Sequence, residues 1–127
     1  MKNNLNIIIL DDDEDIGNVL KMMLEYKGYH VTLFDRIDKV SNAVSRNQFQ
    51  LLILDMLIAG ENGCDLCREL KSNSELASLP VLMFSALPEG KKLAKEAGAD
   101  DFIFKPFQMN DMLEKVNEMI TKDALSQ

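Results

Sequence analysis

Leu51-Leu52-Ile53-Leu54-Asp55 is the stretch on which the fold turns. Four apolar residues in succession show no alternation between a wet and a dry face. A strand made of them must be covered on both sides, as the parallel strands of α/β sheets are. Two further runs, Leu5–Leu10 and Val81–Phe84, have the same character, and His30–Phe34 and Phe102–Phe104 complete a set of five. Helical periodicity fills the gaps. Ile16, Val19, Leu20, Met23 and Leu24 follow the spacing of one helix face. Ile37, Val40, Ala43 and Val44 repeat it behind Asp35, which is placed to act as an N-cap. Leu66, Cys67 and Leu70 form a third stripe, and Leu93, Ala94 and Ala97 a short fourth one that Gly98 stops. Met112, Leu113, Val116, Met119 and Ile120 form the last, and the tail from Lys122 to Gln127, without apolar pattern, is expected to fray. Alternating β and α segments predict a doubly wound α/β fold, a five-stranded parallel sheet with five helices on its two faces.

At 127 residues the chain is expected to form one domain, with its core over residues 5 to 121. Hydrophobic residues make up 46% of it, enough for a core without disulfide or metal staples. Acidic residues number 21 and basic ones 14, a net charge of −7. That balance argues against unaided binding to DNA or RNA, which needs clustered cations, and against an anionic membrane surface. Apolar runs end too soon to span a bilayer. The opening Met1-Lys2-Asn3-Asn4 lacks the apolar core of a signal peptide, and a cytoplasmic protein is expected. Cys64 and Cys67 make a C-x-x-C, but they follow the loop Ala59-Gly60-Glu61-Asn62-Gly63 rather than a strand. Beyond the acids only His30 is left as a further zinc ligand, so two reduced structural thiols are expected.

In doubly wound sheets the working site lies beyond the carboxyl ends of the strands. The first strand runs into Asp11-Asp12-Asp13-Glu14-Asp15, the third ends in Asp55, the fourth in Ser85 and the fifth in Lys105-Pro106. A helix macrodipole accounts for Asp13, Glu14 and Asp15. It does not account for Asp55, which closes an apolar strand several residues before the next helix. Asp11, Asp12 and Asp55 gathered together repel one another unless a cation sits among them. Oxygen donors without His or Cys point to Mg²⁺, with Mn²⁺ as a substitute. No G-x-x-x-x-G-K-S/T loop is present, so nucleotide binding is not indicated. A carboxylate flanked by a metal, a lysine and a hydroxyl is instead equipped as a nucleophile toward phosphorus.

From Ile7 through the last helix the chain resembles the receiver domain of two-component response regulators, in its single-domain form. The resemblance rests on Ile7-Ile8-Ile9-Leu10-Asp11-Asp12-Asp13-Glu14, Leu51-Leu52-Ile53-Leu54-Asp55-Met56, Gly60–Gly63, Phe84-Ser85-Ala86, Ala97-Gly98-Ala99-Asp100-Asp101 and Lys105-Pro106-Phe107, in that order. It implies the flavodoxin-like receiver fold and a phosphoacceptor switch rather than an enzyme acting on other molecules. Asp55 would be the phosphoacceptor and a metal ligand, with Asp12 binding Mg²⁺ directly, Asp11 through water, and Leu57 by its backbone carbonyl. Ser85 and Lys105 would hold the phosphoryl oxygens, Phe102 would be the switch aromatic, and the bond to Pro106 would be cis. Phe104 is assigned to the opposite face of its strand from Phe102. The implied partners are a histidine kinase or histidine phosphotransfer protein and a downstream protein target. Neither nucleic acid nor membrane is implied, and the chain would act as a monomer or a phosphorylation-dependent dimer. The lone His30, remote from the acidic residues, is not a phosphoryl donor.

The chain departs from the family pattern at four places. Ala59 stands where proline is usual, Asn62 replaces an Asp, and Gln108 replaces a helix-capping Asp, so the last helix is expected to start later or less firmly. The interval from Ser85 to Lys105 is about two residues short, which a shorter fourth helix would absorb. Leu57 and Leu87 occupy positions that tune hydrolysis in the family, and apolar side chains there cannot orient a water. Three other readings compete with this one. The first is a piece cut from a longer regulator. A Mg²⁺-dependent aspartyl-phosphate phosphatase would continue D-x-D with Gly and Thr or Val, where Glu14 and Asp15 stand. A constitutive binding module would have no need of the site residues, all of which are present.

Overall fold

The structure, a computed structural model, describes residues 5–44, 49–58 and 60–125. Five strands, β1 (Asn6–Leu10), β2 (His30–Phe34), β3 (Leu51–Asp55), β4 (Val81–Ser85) and β5 (Asp101–Phe104), form one sheet. Their spatial order is β2-β1-β3-β4-β5, and every neighbouring pair is parallel. The helices are α1 (Glu14–Tyr26), α2 (Ile37–Val44), α3 (Gly63–Ser72), α4 (Gly90–Ala97) and α5 (Met109–Leu125).

Every residue of β3 and β4 is buried, the polar Asp55 and Ser85 that end them included, as strands covered on both faces require. Alternation along β1 sends Ile8 and Leu10 into one core and Ile7 and Ile9 into another. The first core packs against Val40 of α2, Leu66, Cys67 and Leu70 of α3, and Ala94 of α4. The second packs against Leu20 and Leu24 of α1 and Met112 and Val116 of α5. Each of the Val, Leu, Ile and Met side chains among these contributes about 1.5–3 kcal/mol through its removal from water.

Several local expectations are corrected. Val19 is 45% exposed rather than part of the buried stripe. Gly17 lies in its place: a Cβ there would meet Leu33 Cδ1 at 2.9 Å, so its absence lets α1 settle on β2 and turns Val19 outward. α2 begins at Ile37, two residues after Asp35, whose carboxylate pairs with Lys39 Nζ at 3.0 Å. The tail stays helical as far as Leu125, because no Gly or Pro interrupts it. The last helix starts at Met109, directly after Gln108, whose carbonyl accepts from the Asp111 and Met112 N–H groups. The loop behind Asp55 is folded. Leu57–Ile58 and Glu61–Asn62 pair as a short antiparallel ribbon, turned through Gly60 at φ +82°. Ala59 falls outside the described residues. Asn62 caps α3 by accepting from the Cys64 N–H at 2.8 Å, as an Asp would. Gly98, at φ +94°, ends α4 after eight residues. Cys64 and Cys67 are buried free thiols on α3, and burial pushes Cys67 up to about 11.

Candidate functional site

The sheet register assembles the site. Leu10 lies beside Leu54, Asp55 beside Phe84, and Ser85 beside Phe104, so the residues that follow β1 and β5 reach the same edge as the ends of β3 and β4. Backbone bonds carry the alignment one residue further. The Asp11 N–H donates to Phe34 O at 3.1 Å, and the Lys105 N–H donates to Ser85 O at 2.9 Å. The Asp13 side chain caps α1 by accepting from the Asp15 and Ile16 N–H groups, which turns the chain away just past the acidic pair.

Asp11, Asp12 and Asp55 each present a carboxylate oxygen, and these lie within 4.8 Å of one another. Asp11 and Asp55 are buried while Asp12 is exposed. Asp11 Oδ1 accepts from the Asp13 N–H at 2.9 Å, but its Oδ2 is buried with no hydrogen-bond partner. Burial, helped by the neighbouring Asp55 charge, raises its carboxyl to about 6. Asp55 is engaged at both oxygens: Oδ2 accepts from Lys105 Nζ at 2.9 Å and Oδ1 from the Leu57 N–H at 3.3 Å. The Lys105 ammonium also stands 4.6 Å from the centroid of the buried Phe84 ring, which Phe107 braces edge-on. The Lys105–Pro106 bond is cis.

Gly63 brings α3 against this constellation. Its N–H donates to Met56 O at 2.7 Å, and any Cβ would collide with the Asp55 carbonyl. Ser85 lies at the same edge, but its hydroxyl accepts from the Leu87 N–H at 3.0 Å. Phe102 is half-buried, with its ring against the position where Gly90 lacks a side chain; Ser85 Cβ flanks the same position. Leu57 and Leu87 are 64% and 44% exposed. His30 is exposed at the start of β2, the opposite end of the sheet.

The assignment of Phe104 to the other face of β5 is overturned. Residues two apart in a strand share a face. The Phe102 and Phe104 rings meet edge-on with centroids 4.8 Å apart, and Ile103 points into the opposite core. Gly90 was missed as well: its spacing reads only as a helix start, and its value lies in a contact with a residue twelve positions on.

The donor set fits a divalent cation that prefers oxygen. Three carboxylates converge, one buried oxygen is otherwise orphaned, and neither thiol nor imidazole belongs to the cluster. Among the described residues this is the one such grouping of potential ligands.

Sheet order and edge chemistry together define a doubly wound α/β domain with an acidic, lysine-bearing site at its carboxyl edge. The chain belongs to the response regulator receiver domain family, whose profile matches residues 7–117. It is a receiver domain of two-component signalling, a family whose members bind Mg²⁺ at an acidic pocket and interact with histidine kinases. It is 29% identical over 98% of its length to the transcriptional regulatory protein GltR of Pseudomonas aeruginosa. It spans about half the length of such curated relatives, 52% in that case. Among solved structures it is similar to a response regulator receiver domain protein from Methanospirillum hungatei, with a TM-score of 0.88, 25% identity and coverage of 97% and 98% of the two chains. It is also similar to the receiver domain of a signal transduction histidine kinase from Syntrophus aciditrophicus, with a TM-score of 0.85, 29% identity and coverage of 92% and 90%. No helix among the described residues is long and apolar enough to cross a membrane.

Proposed function

We propose that Asp55 accepts a phosphoryl group from the phosphohistidine of a histidine kinase or phosphotransfer protein, and that this changes the face formed by α4, β5 and α5. The observation that carries the reading is the Asp55 carboxylate, buried beside the orphaned Asp11 oxygen and held at 2.9 Å by Lys105 Nζ. An Asp55 oxygen forms the new O–P bond as the P–N bond breaks, and the imidazole nitrogen keeps the electron pair. A Mg²⁺ held by Asp11, Asp12, Asp55 and the Leu57 carbonyl would supply positive charge opposite the phosphoryl oxygens. Lys105 serves the same end from the other side, as an ammonium already in place. Ser85 gives up the Leu87 N–H and donates its hydroxyl proton to a phosphoryl oxygen. Phe102, resting beside Ser85, then repacks and alters its face of the sheet.

For the incoming donor, α1 offers an apolar strip of Val19, Met22 and Tyr26, which are 45%, 64% and 83% exposed. The strip leads away from the Asp13 cap beside the acidic pair, and it suits a helical partner that presents its histidine there. Leu57 and Leu87 offer an attacking water no hydrogen bond, so the phosphorylated form lasts minutes rather than seconds.

Incubation with acetyl phosphate, read by intact mass, tests the reading. The wild type gains about 80 Da in Mg²⁺ and nothing in EDTA, and Asp55→Asn gains nothing in either. Labelling that survives Asp55→Asn would refute the assignment. Decay of the label within a few seconds would refute the lifetime.

A further inference from the structure

We propose that Cys64 and Cys67 of α3 and Met83 of β4 form a binding site for a soft monovalent metal ion, Cu(I), in the core between helix and sheet. The site is separate from the carboxylate cluster and does not depend on the phosphoacceptor reading.

The three sulfurs share one apolar core, in which Cys64 is 2% exposed and Cys67 and Met83 are 0% exposed. Cys64 Sγ lies 3.8 Å from Met83 Sδ. Metal–thiolate bonds of about 2.3 Å set the sulfurs around a trigonal ion about 4 Å apart. These two are therefore already spaced for a shared ion. Cys67 follows Cys64 by three residues on the same helix, a spacing that makes side chains neighbours with Cβ atoms about 5–6 Å apart. That exceeds the roughly 3.5–4.5 Å of a disulfide, whereas an ion inserted between the two sulfurs spans it. The helix favours coordination over oxidation.

Ligand chemistry selects the ion. Two thiols and a thioether are soft donors, which suit Cu(I) rather than the hard cation that suits the aspartates. Zinc takes four ligands, and among the described residues the one grouping of three or more His, Cys, Asp or Glu ligands is Asp11, Asp12 and Asp55. The Leu93 carbonyl of α4, 3.9 Å from Cys64 Sγ, is a hard oxygen and no substitute for a fourth sulfur.

Binding exchanges protons for metal. Each thiol releases its S–H proton to solvent as an S–Cu bond forms, the thioether binds unchanged, and the copper stays monovalent. Two thiolates and one Cu(I) leave one net negative charge. The Lys71 ammonium, one turn beyond Cys67 on α3, opposes it, as it already opposes the burial that raises the Cys67 thiol. Cys64 belongs to the first turn of α3, and the half-buried Leu93 packs on the same core, so the ion enters along the seam between α3 and α4. Once in place it ties α3 to β4 between Gly63, which abuts the Asp55 carbonyl, and Ser85, two residues beyond Met83.

The test is an anaerobic titration of the full, reduced chain with Cu(I) in excess Mg²⁺, against the Cu(I) chelator bicinchoninate. The wild type should withdraw one copper per chain and unfold at a higher temperature when loaded. Its X-ray absorption spectrum should show sulfur neighbours only. Cys64→Ala and Cys67→Ala should each weaken retention about a hundredfold or more, and Met83→Leu, which keeps the volume, about tenfold. Met83→Leu tests the site even where a cysteine variant fails to fold, and Asp55→Asn should hold copper as the wild type does. No copper withdrawn from the chelator would overturn the proposal. So would retention unchanged by Met83→Leu, oxygen or nitrogen neighbours on the metal, or copper that elutes with a dimer because it bridges two chains.

Discussion

Asp11 Oδ2 is a buried oxygen without a partner, in a carboxyl that burial raises to about 6 from 3.8. Because the folded state raises this pKa, the folded chain binds more protons than the unfolded one between those values. Metal-free stability therefore falls as pH rises through about 4 to 6 and stays at its lower level above. Asp11→Asn removes the charge and keeps the shape. In EDTA at pH 7 the variant should be more stable by about 1–2 kcal/mol, with the advantage vanishing toward pH 4. Thermal unfolding at the two pH values checks this, and adding Mg²⁺ should raise the melting temperature of the wild type much more than that of the variant. A variant no more stable than wild type at pH 7 would defeat the argument. The residues of the edge were legible because carboxylates, a hydroxyl and an ammonium at strand ends have no packing purpose. Phe104 was misplaced because the alternation rule was applied one residue out of step. Gly90 was invisible because its partner is distant in sequence.

Among the elements, the end of α4 is tied down by one side chain. Lys71 Nζ of α3 donates to Ala77 O at 3.1 Å, Leu79 O at 2.7 Å and Asp100 Oδ2 at 2.7 Å. The same Asp100 oxygen accepts from the Val81 N–H at 2.8 Å, and the Lys71 stem packs under Gly98. One ammonium thus fastens the α3–β4 connection to the α4–β5 connection, with its side chain 18% exposed. Lys71→Met keeps the stem and removes the donor, leaving two carbonyls and a carboxylate short of a partner. It should cost about 1–3 kcal/mol in urea unfolding while leaving acetyl phosphate labelling of Asp55 intact. A loss below about 0.5 kcal/mol would show that water replaces the ammonium without penalty. Strands and helices were legible in the sequence wherever a period repeated several times. The Leu57–Asn62 ribbon was not, since two-residue strands have no period to read. The outward turn of Val19 was not legible either, because it depends on how closely Gly17 lets α1 approach Leu33.

For the whole molecule, the sheet order places Asp55 at its centre and the Phe102–Phe104 pair at its edge, with Ser85 and Gly90 between them. Asp55 ends β3, Ser85 ends the adjacent β4, and Phe102 lies on the adjacent β5. The eight-residue α4 brings Gly90 directly over the last two. A methyl group at residue 90 would stand 2.9 Å from Phe102 Cζ and 3.2 Å from Ser85 Cβ, closer than packed carbons sit. Either the ring swings toward solvent or the first turn of α4 lifts. In both cases the contact between site and face is broken while the carboxylates and Lys105 keep their places. Gly90→Ala should therefore lose about 1–2 kcal/mol of stability, the overpacking term exceeding the gain in helix propensity. It should still accept phosphate from acetyl phosphate at Asp55. The aromatic NMR shifts of Phe102 and Phe104 would already be displaced in the unmodified variant and would move less than in wild type when beryllofluoride is added. Displaced rings together with full labelling would show that the methyl uncouples the output face from the acceptor. Ring shifts and a beryllofluoride response identical to wild type would mean that the signal reaches the edge of the sheet by a route other than Gly90 and Phe102.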